Sequence, residues 1–258
     1  MMTSPQTSYR RFLLAATGAI ALAAAMCWPA PAAAAWPWSE TVKGNGKVAR
    51  QERPLAHFTG ISLSLPAQVE IRIGSTESVS IEADENLLAL VETVIEDGDL
   101  EIRARKDYNL QPRTLKIVVQ AKAVNHIALG GSGSVEAEAL SSPKLTLEIG
   151  GSGSINIKRA ESESVAASIG GSGNVKLGGA ARKLEVAIGG SGGVQAGQLK
   201  ADNVEVSIGG SGDVTVWAAN TLKATVAGSG DVGYYGDPKV QSTVVGSGGA
   251  KRLGPAPR

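Results

Sequence analysis

The sequence predicts an all-β fold, a single-stranded parallel β-helix-like solenoid with coils of about 18–20 residues and Gly-Ser-Gly corners. Three observations predict it: a Gly-Ser-Gly tripeptide recurs at near-constant intervals, apolar residues alternate on either side of it, and the composition is glycine-rich and aromatic-poor.

The serine of the tripeptide falls at Ser132, Ser152, Ser172, Ser191, Ser211, Ser229 and Ser247, at intervals of 20, 20, 19, 20, 18 and 18 residues. Five of these corners carry a further glycine in front: Gly130, Gly150, Gly170, Gly189 and Gly209. Propeller blades need roughly 40–50 residues, twice what each interval offers, and hairpin meanders rarely keep so even a period. A tight corner calls for positive φ or for backbone approach closer than a Cβ permits, and a small serine can bond the local backbone without bulk.

Before each corner the apolar residues alternate, as in Leu145, Leu147, Ile149 and Val204, Val206, Ile208; after it they resume, as in Ile155, Ile157 and Val214, Val216. Period-two alternation puts one side of each strand inside and the other outside. Equivalent positions of successive coils then stack at about 4.8 Å, so seven coils rise roughly 30 Å. Ile149, Ile169, Ile188 and Ile208 should form one internal ladder. The composition fits such thin β-branched layers: hydrophobic residues reach 43%, enough for a core, yet aromatics are only 4% while glycines number 33.

Residues 49–125 lack the tripeptide but keep the alternation, in Val69, Ile71, Ile73, in Val79, Ile81, in Leu100, Ile102 and in Leu115, Ile117, Val119. They read as irregular coils that cap the stack, since an uncovered end would expose unpaired strand edges. Within them Asp84-Glu85-Asn86-Leu87-Leu88 reads as an acid-capped turn of helix, and Glu96-Asp97-Gly98-Asp99 as a hairpin turn. The organisation expected is a signal peptide at 1–35, a linker at 36–48, a β-helical domain at 49–250 whose regular part is 126–250, and a tail at 251–258.

The leader carries Arg10-Arg11, an Ala/Leu-rich run from Phe12 to Met26 too short to span comfortably as a membrane helix, and Ala33-Ala34-Ala35 ahead of a new N-terminus at Trp36. An uncleaved anchor is the alternative. The chain is therefore expected to be exported, to the periplasm or the cell surface, with no membrane span after cleavage. Cys27, the single cysteine, lies in this leader, so the exported part has neither disulfides nor a thiolate metal site. Arg10 and Arg11 are two of the 25 basic residues, leaving 23 against 24 acidic ones; that balance gives no electrostatic case for nucleic acid.

Four stretches resemble the GIN-domain family of autotransporter-adhesin heads. They are Phe58-Thr59-Gly60-Ile61 through Val69-Glu70-Ile71; Ala83-Asp84-Glu85-Asn86-Leu87-Leu88 with the turn Asp97-Gly98-Asp99-Leu100; the Gly-Ser-Gly series; and the closing Gly228-Ser229-Gly230-Asp231-Val232 with Tyr234-Tyr235-Gly236-Asp237-Pro238-Lys239-Val240. The resemblance spans about residues 45–250. It implies a right-handed β-helix-like fold and an envelope or surface location, and it brings no catalytic or ligand residues with it. With no barrel pattern, and with Arg258 soon after the last repeat, export by an autotransporter mechanism of its own is not expected.

Chemistry is scarce. His57 and His126 are the only histidines, far apart and without a cysteine to join them, and read as strand-end or surface residues rather than metal ligands. Gly-Gly-Ser-Gly superficially resembles a nucleophile elbow, but it occurs in series and leads into a strand, with no helix to follow. Calcium β-rolls use a repeat half as long, and only Asp213 and Asp231 stand one residue past a corner. No cofactor, metal or catalytic residue is expected. What remains is a candidate ligand surface: Trp217, Tyr234 and Tyr235, whose rings can stack on sugars or cap the stack, and Asp213 with Asp231, carboxylates in one register about 5 Å apart.

The function these features favour is a non-enzymatic exported envelope protein, an adhesin-like or structural scaffold whose partner is an envelope component or glycan. A polysaccharide-binding or polysaccharide-cleaving β-helix is the alternative, and end-to-end or face stacking offers a route to a homo-oligomer.

Overall fold

Alternation on both sides of each corner leaves every strand with one apolar side, and stacking coil on coil buries all of these sides at once. The structure, a computed structural model, describes residues 39–257; the expected signal peptide lies outside them. Ahead of the repeats come β1 (Glu40–Lys43), β2 (Val48–Pro54), β3 (Gly60–Leu63), β4 (Gln68–Ile73), β5 (Ser78–Asp84), β6 (Val91–Glu96), β7 (Asp99–Ala104), β8 (Tyr108–Gln111) and β9 (Leu115–Ala121). The repeats comprise β10 (His126–Leu129), β11 (Ser134–Ser141), β12 (Lys144–Ile149), β13 (Ser154–Ile169), β14 (Asn174–Ile188), β15 (Gly193–Ile208), β16 (Asp213–Gly228), β17 (Asp231–Tyr235), β18 (Lys239–Gly246) and β19 (Gly249–Gly254). The chain is a β-solenoid of parallel stacked coils. Strand β1 falls within the stretch read as a linker, and β19 runs into the stretch read as a tail.

Each long strand turns between two sheets. Residues 154–161 of β13 pair with β11, whereas residues 164–169 pair with β12. One sheet therefore collects the segments that precede a corner and the other the segments that follow it. In the pre-corner sheet Ile149, Ile169, Ile188 and Ile208 stack in register, and the ladder continues through Val226 to Val244. In the post-corner sheet Val135, Ile155, Val175, Val194, Val214 and Val232 do the same. All of these but Val244 are buried, and at roughly 1.5–3 kcal/mol per buried aliphatic side chain the ladders are the main source of cohesion.

The corners are joined by backbone. The N–H groups of Ser152, Ser172, Ser191, Ser211, Ser229 and Ser247 donate to glycine carbonyls of the coil before, at 3.0–3.2 Å. The expectation that the hydroxyls would make the corner bonds is corrected: the N–H makes them, and the serine side chains lie at the exposed rim.

The first part of the chain is more ordered than irregular caps. Strands β3 and β4 form the first coil in sequence but not the first in space. Strand β3 lies between β7 and β10, and β4 between β9 and β11. The chain lays its first coil, adds β7 and β9 on one side, then crosses back to start the repeats on the other. Beyond them the stack is closed by antiparallel strands: β6 on β7, and β5 on β9 with β2 outside it. The β6–β7 hairpin turns at Asp97 (φ 53°) and Gly98 (φ 87°), the positive-φ pair of a type I′ turn, at the place expected.

The acid-capped helical turn is corrected. The helical residues are a single 3-10 turn, Leu88–Leu90, with no side-chain cap. Asp84 instead ends β5, fully buried, and its carboxylate accepts the N–H groups of Gly46 (2.7 Å), Arg113 (2.8 Å) and Thr114 (3.2 Å). It thereby ties three segments together at the closed end. Arg53 of β2 ties the two sheets there, donating to the carbonyls of Leu88 (2.9 Å) and Val91 (2.8 Å).

Candidate functional site

Outward side chains form rows along the stack, because parallel register repeats each position one coil later. Strands β16 and β17 present Asp213, Thr215 and Trp217 beside Asp231, Gly233 and Tyr235 on their outward side. Trp217 and Tyr235 are register partners, so the structure brings these two candidates together. Lys200 precedes them in the same row.

Tyr234 does not join them. Its register partner is the buried Val216, and it packs against the core from the inward side. The aromatic trio thus divides into an outer pair and an inner plug, in accord with the opposite directions of adjacent residues in a strand.

Asp213 and Asp231 begin the same two strands, about 13 Å from the aromatic pair at 3.3 Å per residue. They are neighbours, but Asp213 Oδ1 accepts the Asp231 N–H at 3.1 Å. The carboxylate acts as a corner bond, taking a backbone donor that in earlier coils goes to a corner carbonyl, as from Asn174 to Gly153. Both aspartates are exposed, and no third charged side chain converges on them among the hydrogen bonds and ion pairs of the described residues.

Three features of the outer face were missed in the sequence. Residues 197–199 bulge from β15, since Ala196 pairs with Val216 while Lys200 pairs with Trp217. The Tyr235 ring lies against Gly197 and Thr215, in space that a side chain at 197 would occupy. Leu253, exposed, covers Gly233 in the same way. The bulge had a signal: the corner interval drops from 20 to 18 after Ser211, so the longer coil must shed residues from the ladder. Trp217, Tyr235 and Leu253 together make a shallow apolar platform with Lys200 at its edge.

A second recess, of about 380 Å³, lies on the outer face of β4, β11 and β13, lined by Glu70, Arg72, Glu136, Glu138, Asn156 and Lys158 among others. Apart from Glu136, its charges are matched locally. Arg72 donates to both Glu70 oxygens at 2.7 and 2.9 Å, holding that carboxyl below its usual range, and Lys158 reaches Glu138 at 2.6 Å. Exposed pairs of this kind add little stability and leave little charge for a ligand.

The histidines go to separate carboxylates. His57 Nδ1 lies 2.6 Å from Glu77 and His126 Nδ1 lies 2.8 Å from Asp99. Asp99 and His126 are on β7 and β10, with β3 between them; Gly60 fills the intervening position, and its missing side chain lets the carboxylate reach across. Among the described residues no group of three or more His, Cys, Asp or Glu is placed to hold a metal ion, and no helix is long and apolar enough to cross a membrane.

No curated protein matches the chain. Solved structures do. A "putative adhesin" from Bacteroides fragilis superposes with TM-score 0.79 at 25% identity, over 82% of this chain and 100% of that one. A "putative lipid binding protein" from Parabacteroides distasonis gives 0.71 at 25%, over 83% and 100%. A "putative adhesin" from Parabacteroides merdae gives 0.67 at 22%, over 83% and 99%, and speaks for the fold alone. A family model matches residues 57–238, from the first coil to the end of the Trp217–Tyr235 platform, and the chain accordingly belongs to the family described as "Putative auto-transporter adhesin, head GIN domain".

Proposed function

We propose that this chain works outside the cytoplasm as a non-enzymatic, adhesin-like scaffold of the cell envelope, holding a glycan or envelope polymer against its outer face at Trp217 and Tyr235. The observation that carries the reading is the register pairing of those two residues, both half-buried on the outward side of the stack, while the nearby aspartates serve the backbone. The family description and the names of the adhesin neighbours support the adhesin-like role, and the leader at 1–35 supports export. Aromatic faces stack on sugars without needing a deep cleft, and a rigid row lets weak contacts add along a polymer. A lipid ligand, suggested by the name of one neighbour, has less support: the space between the sheets is filled by buried side chains, so an acyl chain would lie outside.

The polypeptide from Pro37 to Arg258, which holds the whole described core, is the material for the test. Retained on an array of glycans and envelope polymers, it should lose about tenfold in affinity on Trp217→Ala or Tyr235→Ala, corresponding to about 1.4 kcal/mol. Asp213→Asn should leave both retention and polymer length unchanged. Polymer shortening that Asp213→Asn abolishes would replace this reading with the polysaccharide-cleaving one.

A further inference from the structure

The geometry points to the C-terminal end of the solenoid as a pairing surface for a second copy of this chain, joined tail to tail along β18. Strand β18 pairs with β16, and β19 with β17, each on one side only among the described residues. Val240, Ser242 and Val244 occupy the inward register, stacked on Leu222, Ala224 and Val226. Those three partners are buried, yet Val240 is 42% exposed, Val244 39% and Val245 71%. Among the described residues the last coil therefore offers core residues and free backbone donors and acceptors with nothing laid over them.

The two ends of the molecule differ in how their edges are made. At the N-terminal end the outermost strand of the same pre-corner sheet, β6, carries Glu92 and Glu96, and the outermost post-corner strand, β2, carries Arg50, Glu52 and Arg53 and finishes at Pro54, charges and a proline of the kind that prevent edge pairing. From Val240 to Gly246, β18 has neither a charge nor a proline. A head-to-tail stack would set this edge against the guarded one. A tail-to-tail join meets no such obstacle, and about a two-fold axis it closes after two copies instead of growing into a fibre.

The sequence of β18 suits that symmetry. An antiparallel register centred on Ser242 keeps inward residues on the inward side, sets Val240 opposite Val244 of the second copy, and sets Lys239 opposite Val245 of the second copy. No like charges then face each other across this join. Strand β19 carries Lys251 and also Arg252, which donates to the Gly236 carbonyl at 2.7 Å, so the pairing runs along the pre-corner sheet. An end section of about 26 Å by 20 Å, from eight residues of strand and two sheets with their outward side chains, buries about 500 Å² per copy. About 1,000 Å² in all is the lower limit of a specific interface, the size class of weak and transient pairings.

Light scattering on the polypeptide from Pro37 to Arg258 needs no ligand, so its result is independent of the glycan reading. The mass should double between about 1 and 100 µM. Val244→Lys should keep the circular dichroism spectrum and stay a single copy throughout. The segment from Pro37 onward has no cysteine, so Ser242→Cys, the smallest change available, should give a disulfide-linked pair under mild oxidation, while Ser207→Cys on the side of the stack should not. A single-copy mass at 100 µM, a dimer indifferent to Val244→Lys, or cross-linking as fast at Ser207→Cys as at Ser242→Cys would each overturn the proposal.

Discussion

Gly171→Ala is expected to weaken the whole solenoid, while Gly170→Ala, one residue earlier in the same corner, should leave its stability unchanged. A Cβ on Gly171 would fall inside the contact distance of the Gly151 carbonyl oxygen, and that oxygen is fixed by the Ser172 N–H at 3.1 Å. Gly173 is as tightly placed, since its Cβ would lie 2.6 Å from the Gly153 carbonyl oxygen and against Ile149. Around Gly170 nothing comes nearer than 4.0 Å. The chain has made this substitution already: Ala227 and Val245 stand where the first glycine of the last two corners would be. Overpacking against an immobile backbone costs about 3 kcal/mol, which for a chain of this length lowers the melting temperature by about 6–12 °C. Coils are stacked through one another, so the defect interrupts the array rather than staying local. Thermal melts followed by circular dichroism separate the cases, with Gly170→Ala expected within about 2 °C of the parent. Equal melting temperatures for Gly170→Ala and Gly171→Ala would sink the close-approach account of the corner.

That contrast also marks what the amino-acid sequence could reveal. In the repeats every coil states its own rule, so the tripeptide and its flanking alternation were enough to place Ile149, Ile169, Ile188 and Ile208 in one ladder. Before residue 126 the same alternation is present in Val69, Val79, Leu100 and Ile117, but it encodes only which side of a strand is buried. Neither the antiparallel direction of β5 nor the exchange that sets β3 between β7 and β10 leaves a local trace, because strands as short as four residues accept several neighbours. Asp84 misled for the same reason. Its surroundings look like a helix cap, and its actual partners lie 29–38 residues away.

The candidate surface was half legible. Two adjacent tyrosines cannot both face outward from a strand, and the inward Val232 already assigns Tyr234 to the inside and Tyr235 to the outside. Counting that parity would have divided the trio. The neighbour of Tyr235 across the strands, Trp217, follows from the corner spacing as well, since each lies four residues after its aspartate, Asp231 or Asp213. What spacing could not supply is the position of the bulge at 197–199, because the net surplus of two residues could have been shed anywhere along the coil; here three leave the ladder and β16 takes one back between Ala218 and Thr221.

Loss of the Asp84 carboxylate should open the closed end of the stack. Burial alone would push its pKa up, but the N–H groups of Thr114, Arg113 and Gly46 outweigh burial and hold it below the ordinary 3.8. A carboxyl depressed by folding adds stability that is fully present above its unfolded value and is lost as pH falls through the folded one. The urea midpoint should therefore decline below about pH 4, with hydrogen exchange rising first around 44–47 and 113–114, the segments that Asp84 ties. Asp84→Ala leaves three inward-facing donors unanswered at every pH, and a fall in melting temperature on the order of 10 °C is expected. Asp84→Asn is the sharper variant. It keeps the shape but turns an NH₂ group toward one set of donors, so it should be weaker than the parent at pH 7 and nearly insensitive to acid over the range where the parent weakens. Should the Asn variant keep the parent's full acid slope, the decline belongs to the surface carboxylates, and the closed end is held by the Arg53 bonds and its apolar contacts instead.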